Sequence, residues 1–324
     1  MHRTIELTVP PAATPAVLTQ LENLEHVIGL SVERGASIKP PGDVVTVHTL
    51  NRGADDVLKV AEQARRHGPV SVVTAELASI VDPEHEHEVS NDVDEGIWEE
   101  MEIGLRHQGR VTSNYLALMA LGGSIATIGL VSEPVPQAIA LVASSVIAPG
   151  FEPIAKLALG IVLRHKDVFQ RGLASMLSGY LVLMLAAAAT FLVLRSAGAV
   201  TIEEFVHNPE VERIAAPTLK DILQSAGAAA AGLIMIAAYR RSVIAGPLMA
   251  LMLIPAAAMA GVALVVGQPG LSYEGFQRFG LDVLLIVGVG SVVLFIKQAT
   301  IHRQRPRPMA SSSVSGKTTS TQAG

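Results

Sequence analysis

Two charged side chains stand inside one of the most apolar runs of the chain. In VIAPGFEPIAK (Val146 to Lys156) the carboxylate of Glu152 and the ammonium of Lys156 lie beside Pro149, Gly150 and Pro153. Proline and glycine break a helix, and the backbone groups set free cannot face lipid; they are buried in protein or line a cavity. A charge near the middle of a bilayer costs roughly 3 kcal/mol on insertion scales, so it too faces the interior or water. Free carbonyls and amides next to a carboxylate are the chemistry of a cation or proton site. If the helix resumes at Pro153, Lys156 falls about one turn from Glu152 and neutralises it. A blander reading pairs Glu152 with Lys156 and lets both reach toward an aqueous interface near Arg164. A second apolar run, VIAGPLMALMLIPAA, is interrupted by Gly246, Pro247 and Pro255. Pro149, Gly150, Glu152, Pro153, Lys156, Gly246, Pro247 and Pro255 are therefore the candidate lining of a pore or substrate site.

Other reactive groups point nowhere as specific. His85 and His87 in EHEHE offer imidazole and carboxylate to a metal, but an acidic stretch of this kind reads first as a solvated linker. Asp282 falls near one end of an apolar run and reads as interfacial. Asp221 with Lys220 reads as an interfacial, helix-starting pair, and Glu203, Glu204, Glu210 and Glu212 as a solvated loop. The chain has no cysteine, which excludes disulfides and thiolate chemistry. GxGD, GxSxG and HExxH are absent, so no catalytic residue, resident metal or cofactor is expected and the protein reads as a non-enzyme. A net charge of -5, with basic residues not interleaved with aromatics, gives no sign of nucleic-acid binding.

The elements that must hold these groups are membrane helices. Of 324 residues 50% are hydrophobic and 16% charged, against about 25% charged in soluble domains. Spanning takes about 20 apolar residues, and six stretches qualify: Ser113 to Val131, Val135 to Leu163, Leu173 to Leu194, Thr218 to Ala238, Val243 to Val266, and Phe279 to Ile296. Arg106, Arg110, Arg164, Lys166, Arg171, Arg240, Arg241, Lys297, Arg303, Arg305 and Arg307 fall on one side of such a topology. The opposite loops are acidic, with Arg195, Arg213 and Arg278 as exceptions. The positive-inside rule then places both termini in the cytoplasm of a multi-pass cell-membrane protein. Spans 2 and 5 are each interrupted and each is the middle of three, so a 3+3 inverted repeat is expected. AGAAAAG (Ala226 to Gly232), Gly122, Gly123, Gly288 and Gly290 let helices approach closely.

Residues 1–76 read differently. RTIELTV alternates like a strand; Thr14 with Pro15 starts a helix carrying Val17, Leu18, Leu21, Leu24 and Val27 inward. IGLSVERG and DVVTVHTL are strands around the turn KPPGD. Asp55 to His67 is a helix, and PVSVVTAE closes the unit. The order β-α-β-β-α-β is that of an α+β ferredoxin-like domain. Residues 77–110 form an acidic linker and a helix in which Ile97, Trp98, Met101 and Leu105 suit a membrane surface. Residues 111–297 form the six-span domain, and residues 298–324 a basic, then disordered tail.

The chain resembles the hydrophobic membrane family catalogued as domain of unknown function 389. ALVASSVIAPGFEPIAKLALG (Ala140 to Gly160), APTLKDILQSAGAAAAG (Ala216 to Gly232) and GPLMALMLIPAAAMAGVALVVG (Gly246 to Gly267) carry the resemblance, which extends over about Tyr115 to Ile296. In the family the first region reads like IGAMLIAPLMGPI. Ile147, Ala148, Pro149, Pro153 and Ile154 match it, while Glu152 stands where many members have glycine. Of the family's proline pair in the later region only Pro255 is kept. The resemblance implies a membrane location and an N-terminal ferredoxin-like domain, and no settled activity. Two functions compete: a carrier or channel for a small solute or ion with a cytoplasmic regulatory domain, and a membrane-anchored sensor or assembly scaffold. The first expects a polar cavity near the midplane, the second a filled core. The partners expected are the lipid bilayer, an ion or small solute, and further copies of the chain, since four-stranded sheets leave edges that can pair.

Overall fold

In the computed structural model, residues 2–93, 96–238 and 245–300 are described, without the side chains of 99, 106–108 and 245–250. The N-terminal unit runs β1 (His2–Val9), α1 (Thr14–Glu22), β2 (Val27–Ile38), β3 (Pro41–Leu50), α2 (Ala54–Ala64) and β4 (Ser71–Leu77), the order read from the sequence. The four strands form one antiparallel sheet, β2-β3-β1-β4. The period-2 pattern of β1 sends Ile5, Leu7 and Val9 into a core completed by Val17 and Leu21 of α1 and Val57, Val60, Ala61 and Ala64 of α2. The cap of α1 differs from expectation. Thr14 is its first residue rather than its N-cap, and the buried Thr14 hydroxyl donates to Asp43 Oδ2 at 2.6 Å.

That hydrogen bond, with a second from the Gly35 N–H at 2.8 Å, holds the Asp43 carboxyl below its ordinary value. A lowered folded-state value stabilises the fold above the ordinary carboxylate range, and the stabilisation is lost as pH falls through the lowered value. The thermal midpoint of the N-terminal unit is therefore expected to drop below about pH 4. Asp43→Asn should lower the midpoint at neutral pH and flatten that acid limb, as read by circular dichroism.

The acidic segment contains α3 (Glu86–Ser90), and α4 (Trp98–Gln108) follows. His85 faces Asp82 at 3.0 Å, and no cluster of three or more His, Cys, Asp or Glu suited to a metal occurs among the described residues. The apolar stripe of α4 faces protein: Trp98, Met101 and Leu105 are buried in the helical core, and Ile97 belongs to the core of the N-terminal unit. One short helix thus joins the two cores. Polar contacts reinforce the joint. Buried Arg3 of β1 bonds Asn51 and pairs with Glu100, which also accepts from Thr74 at 3.0 Å. Asp92 accepts from the Asn51 N–H and faces Arg52 and His2.

The helical region comprises α5 (Ser113–Leu130), α6 (Pro134–Ile147), α7 (Phe151–Leu163), α8 (Lys166–Ser196), α9 (Ile202–Val206), α10 (Pro209–Ala215), α11 (Leu219–Ala237), α12 (Ala245–Val265) and α13 (Pro269–Thr300). Among the described residues, α5, α8, α11 and α13 are long and apolar enough to cross a membrane. The pair α6–α7, bent by 51°, makes a fifth candidate if it is one span. Small residues set the packing, as close helix approach requires. Gly123 of α5 lies against the backbone of Leu183 in α8. A Cβ on Gly290 of α13 would stand 3.0 Å from Leu233 Cγ in α11.

Three expectations are corrected. The stretch Glu203 to Glu212 is not a plain loop: Thr201 and Asn208 cap α9 and α10, and Phe205, Val211 and Ile214 are buried. The last helix begins ten residues before Phe279, so Arg278 lies within it. Pro255 does not interrupt its span; α12 runs through it unbroken. Proline removes one N–H and leaves the Leu251 carbonyl without its helical donor. The helix continues because α5, α6, α8, α11 and α13 surround it, and residues 253–263 are all buried. The interhelix stretch holding Arg240 and Arg241 and the tail from residue 301 lie outside the described residues.

Candidate functional site

The break between α6 and α7 is local chemistry. Ala148 precedes a proline and takes an extended conformation, φ -84 and ψ 119, as that position favours. Pro149 has no N–H to continue the α6 ladder. The chain turns, Gly150 caps α7 with no side-chain assistance, and Glu152 becomes the second residue of the new helix. A carboxylate in the first turn faces the positive end of the helix dipole.

The helices around the break are in van der Waals contact with it. A Cβ added to Gly150 would stand 2.5 Å from Tyr180 Oη of α8 and 3.1 Å from Ile254 Cδ1 of α12. Tyr180 donates to the Gly150 carbonyl at 3.2 Å, and Tyr115 of α5 donates to the Ser175 carbonyl at 2.8 Å. The break in α6–α7 therefore meets α12 one residue before Pro255. Pro149, Gly150, Glu152, Pro153 and the Pro255 region come together. Gly246 and Pro247 lie in the first turn of α12, with side chains outside the described residues.

Lys156 spends its ammonium on another element. Its ammonium is buried and donates to the Gly109 carbonyl, just past α4, at 2.8 Å. No Glu152–Lys156 contact within 4.0 Å occurs among the described ion pairs. Glu152 Oε2 is buried with no hydrogen-bond partner. The interior here is packed: Phe151, Ile154, Ala155, Ala158 and Leu159 are closed off by α4, α8, α12 and α13.

A second polar group, missed at the sequence level, lies on α13. Asp282 and Arg278 are 2% and 4% exposed and pair at 2.9 Å (Nε to Oδ2). Arg278 Nη2 donates to Ser225 Oγ of α11 at 2.9 Å. Asp221 forms a capping box with Thr218 and pairs with Arg213 at 2.7 Å rather than with Lys220. Arg213 in turn grips Glu210 through two nitrogens, at 2.5 and 2.9 Å. A small cleft opens here, lined by Glu210, Arg213, Leu251, Met252, Pro255 and Arg278. The signal for this group was the i, i+4 spacing of Arg278 and Asp282; placing the helix start at Phe279 hid it.

The family model described as Domain of unknown function (DUF389) matches residues 145–288. The match bears out the resemblance over a shorter stretch, one that holds the break, α8, α11, α12 and the Arg278–Asp282 pair. Neither a curated protein nor a solved structure matches the chain.

Proposed function

We propose that this DUF389-matching chain is a multi-pass cell-membrane carrier or channel for a small solute or ion, with the N-terminal ferredoxin-like unit as a cytoplasmic regulatory domain. The observation that carries this reading is the break inside the helical core with a carboxylate oxygen, Glu152 Oε2, buried beside it and given no donor. An anchor has no use for a buried acidic group, which is costly in a membrane. A transport site does.

In this reading α6–α7 counts as one span and α12 as another, making six crossings with both termini inside. Three spans are an odd number, so two consecutive halves run in opposite directions. Matched elements support an inverted repeat. α5 and α11 have 18 and 19 residues, and α8 and α13 have 31 and 32. Thr112 caps α5 and Thr218 caps α11, each accepting from the N–H of the third helical residue, Tyr115 or Asp221. The broken pair and the proline-bearing α12 then correspond, and they touch at Gly150 and Ile254.

The test is reconstitution of the full chain in liposomes with a panel of labelled cations, anions and neutral solutes. Glu152→Gln is expected to insert and fold like the wild type and to abolish the flux. A Gln variant with wild-type flux would remove Glu152 from the site. The packed interior around α7 and α12 favours a second reading, a membrane-anchored sensor or scaffold that forms homo-oligomers. It predicts no flux for any solute and a Gln variant that assembles normally.

A further inference from the structure

We propose that Asp282 is the outer proton-binding group of a path whose inner group is Glu152, with the Tyr180 hydroxyl between them. This rests on the transport reading and names the coupling ion.

The Asp282 carboxylate is half engaged. Oδ2 accepts from Arg278, whereas Oδ1 is buried and no donor reaches it with hydrogen-bond geometry. Buried polar atoms are almost always partnered, so a native exception calls for an explanation. A proton on Oδ1 supplies one. A metal ion does not: it wants several oxygen ligands, no metal-suited cluster occurs among the described residues, and the Arg278 guanidinium occupies the other oxygen.

The surroundings suit a proton that comes and goes. On its own helix Asp282 faces Arg278. From α11 come Ser225 and Asp221, and from α10, through Arg213, comes Glu210. Among the described side chains of α12, those along the cleft are Leu251, Met252 and Pro255. From α8 comes Tyr180, whose ring lies 4.5 Å from that of Phe279. Three carboxylates thus share two guanidiniums, and one added proton leaves the cluster neutral rather than positively charged. Arg278 lines the cleft, so the way in passes the residue that holds Asp282. Farther in, Tyr180 touches Phe279, three residues before Asp282, through its ring. It already bonds the Gly150 carbonyl, two residues from Glu152. A hydroxyl that takes a proton from one side and gives its own to the other ends unchanged, so the relay balances.

Two measurements on the full chain in phosphatidylcholine–phosphatidylglycerol vesicles test this. The first is infrared difference spectroscopy over a pH scan in H2O and D2O. The wild type should show titrating C=O bands of neutral carboxyl groups, one lost in Asp282→Asn and another in Glu152→Gln. The second is proton entry, followed with an enclosed pH dye under a potassium–valinomycin potential. Asp282→Asn and Tyr180→Phe should each slow it by about a hundredfold, the size of effect that removing a positioned proton-transfer group has. Asp282→Glu keeps the carboxyl and should retain most of the rate, which separates loss of the proton site from loss of the fold. Bands and proton entry untouched by Asp282→Asn would overturn the proposal. If a solute still crosses in that case, and Glu152→Gln still stops it, the transport reading stands alone. Bands that titrate as expected in a protein that passes nothing would instead leave the proton sites and remove the carrier.

Discussion

Gly123→Val is expected to prevent assembly of the helical domain. A Cβ at this position would fall against the Leu183 carbonyl oxygen and carbon, backbone atoms of α8 that cannot step aside as a side-chain end can. Overpacking a core commonly costs about 1–3 kcal/mol, and a clash with backbone belongs at the upper end or beyond. Gly104, by contrast, has open space where its Cβ would stand, so Gly104→Ala is the control for a neutral change. Size-exclusion profiles and thermal midpoints in detergent read the difference. A monodisperse Gly123→Val protein melting with the wild type would mean that α5 and α8 pack less closely than described.

Glu100→Ala should be nearly as damaging, through a different cause. Arg3 is fully buried, and Glu100 brings it a carboxylate from α4. Removing one partner of a buried ion pair commonly costs about 3–5 kcal/mol, because the other charge stays inside. The loss should appear in chemical denaturation of a fragment ending at Gln108. A fragment ending at Glu76 lacks Glu100 and Ile97 altogether and should be less stable than the longer one. Equal stability of the two fragments would show that α4 contributes nothing to the N-terminal core.

Local pattern explains which parts of this architecture were legible in the sequence. Alternation in RTIELTV is set within a single element and landed where expected. The stripe begun at Val17 holds through Leu21, but α1 ends at Glu22, so Leu24 lies past the helix and Val27 opens β2 instead of closing α1. The break at Pro149 was equally local, since a residue before proline leaves the helical region. Pro255 shows the limit. The same residue type sits in a continuous helix, because five neighbouring helices hold the chain straight, and no neighbour is visible in a sequence. The stripe of Ile97, Trp98, Met101 and Leu105 fixed that α4 has an apolar face, but not that α7 rather than lipid receives it. Lys156 is four residues from Glu152, the right spacing for a pair, yet its ammonium goes to the Gly109 carbonyl from another element. Arg278 and Asp282 were misread because polar residues near the end of an apolar run resemble a loop until tertiary packing buries them.

The joint made by α4 has a thermodynamic consequence. One end of that helix holds Arg3 through Glu100, and Gly109, just past its other end, holds Lys156 one turn beyond Glu152. If Glu152 is the binding group proposed above, a ligand that bound the sheet and shifted α4 would change the affinity at Glu152 by some factor. An ion or proton arriving at Glu152 must then change the affinity of the sheet for that ligand by the same factor, because linkage between two binding sites is reciprocal. On the proposed transport reading, a sheet that regulated the site would also report its occupancy.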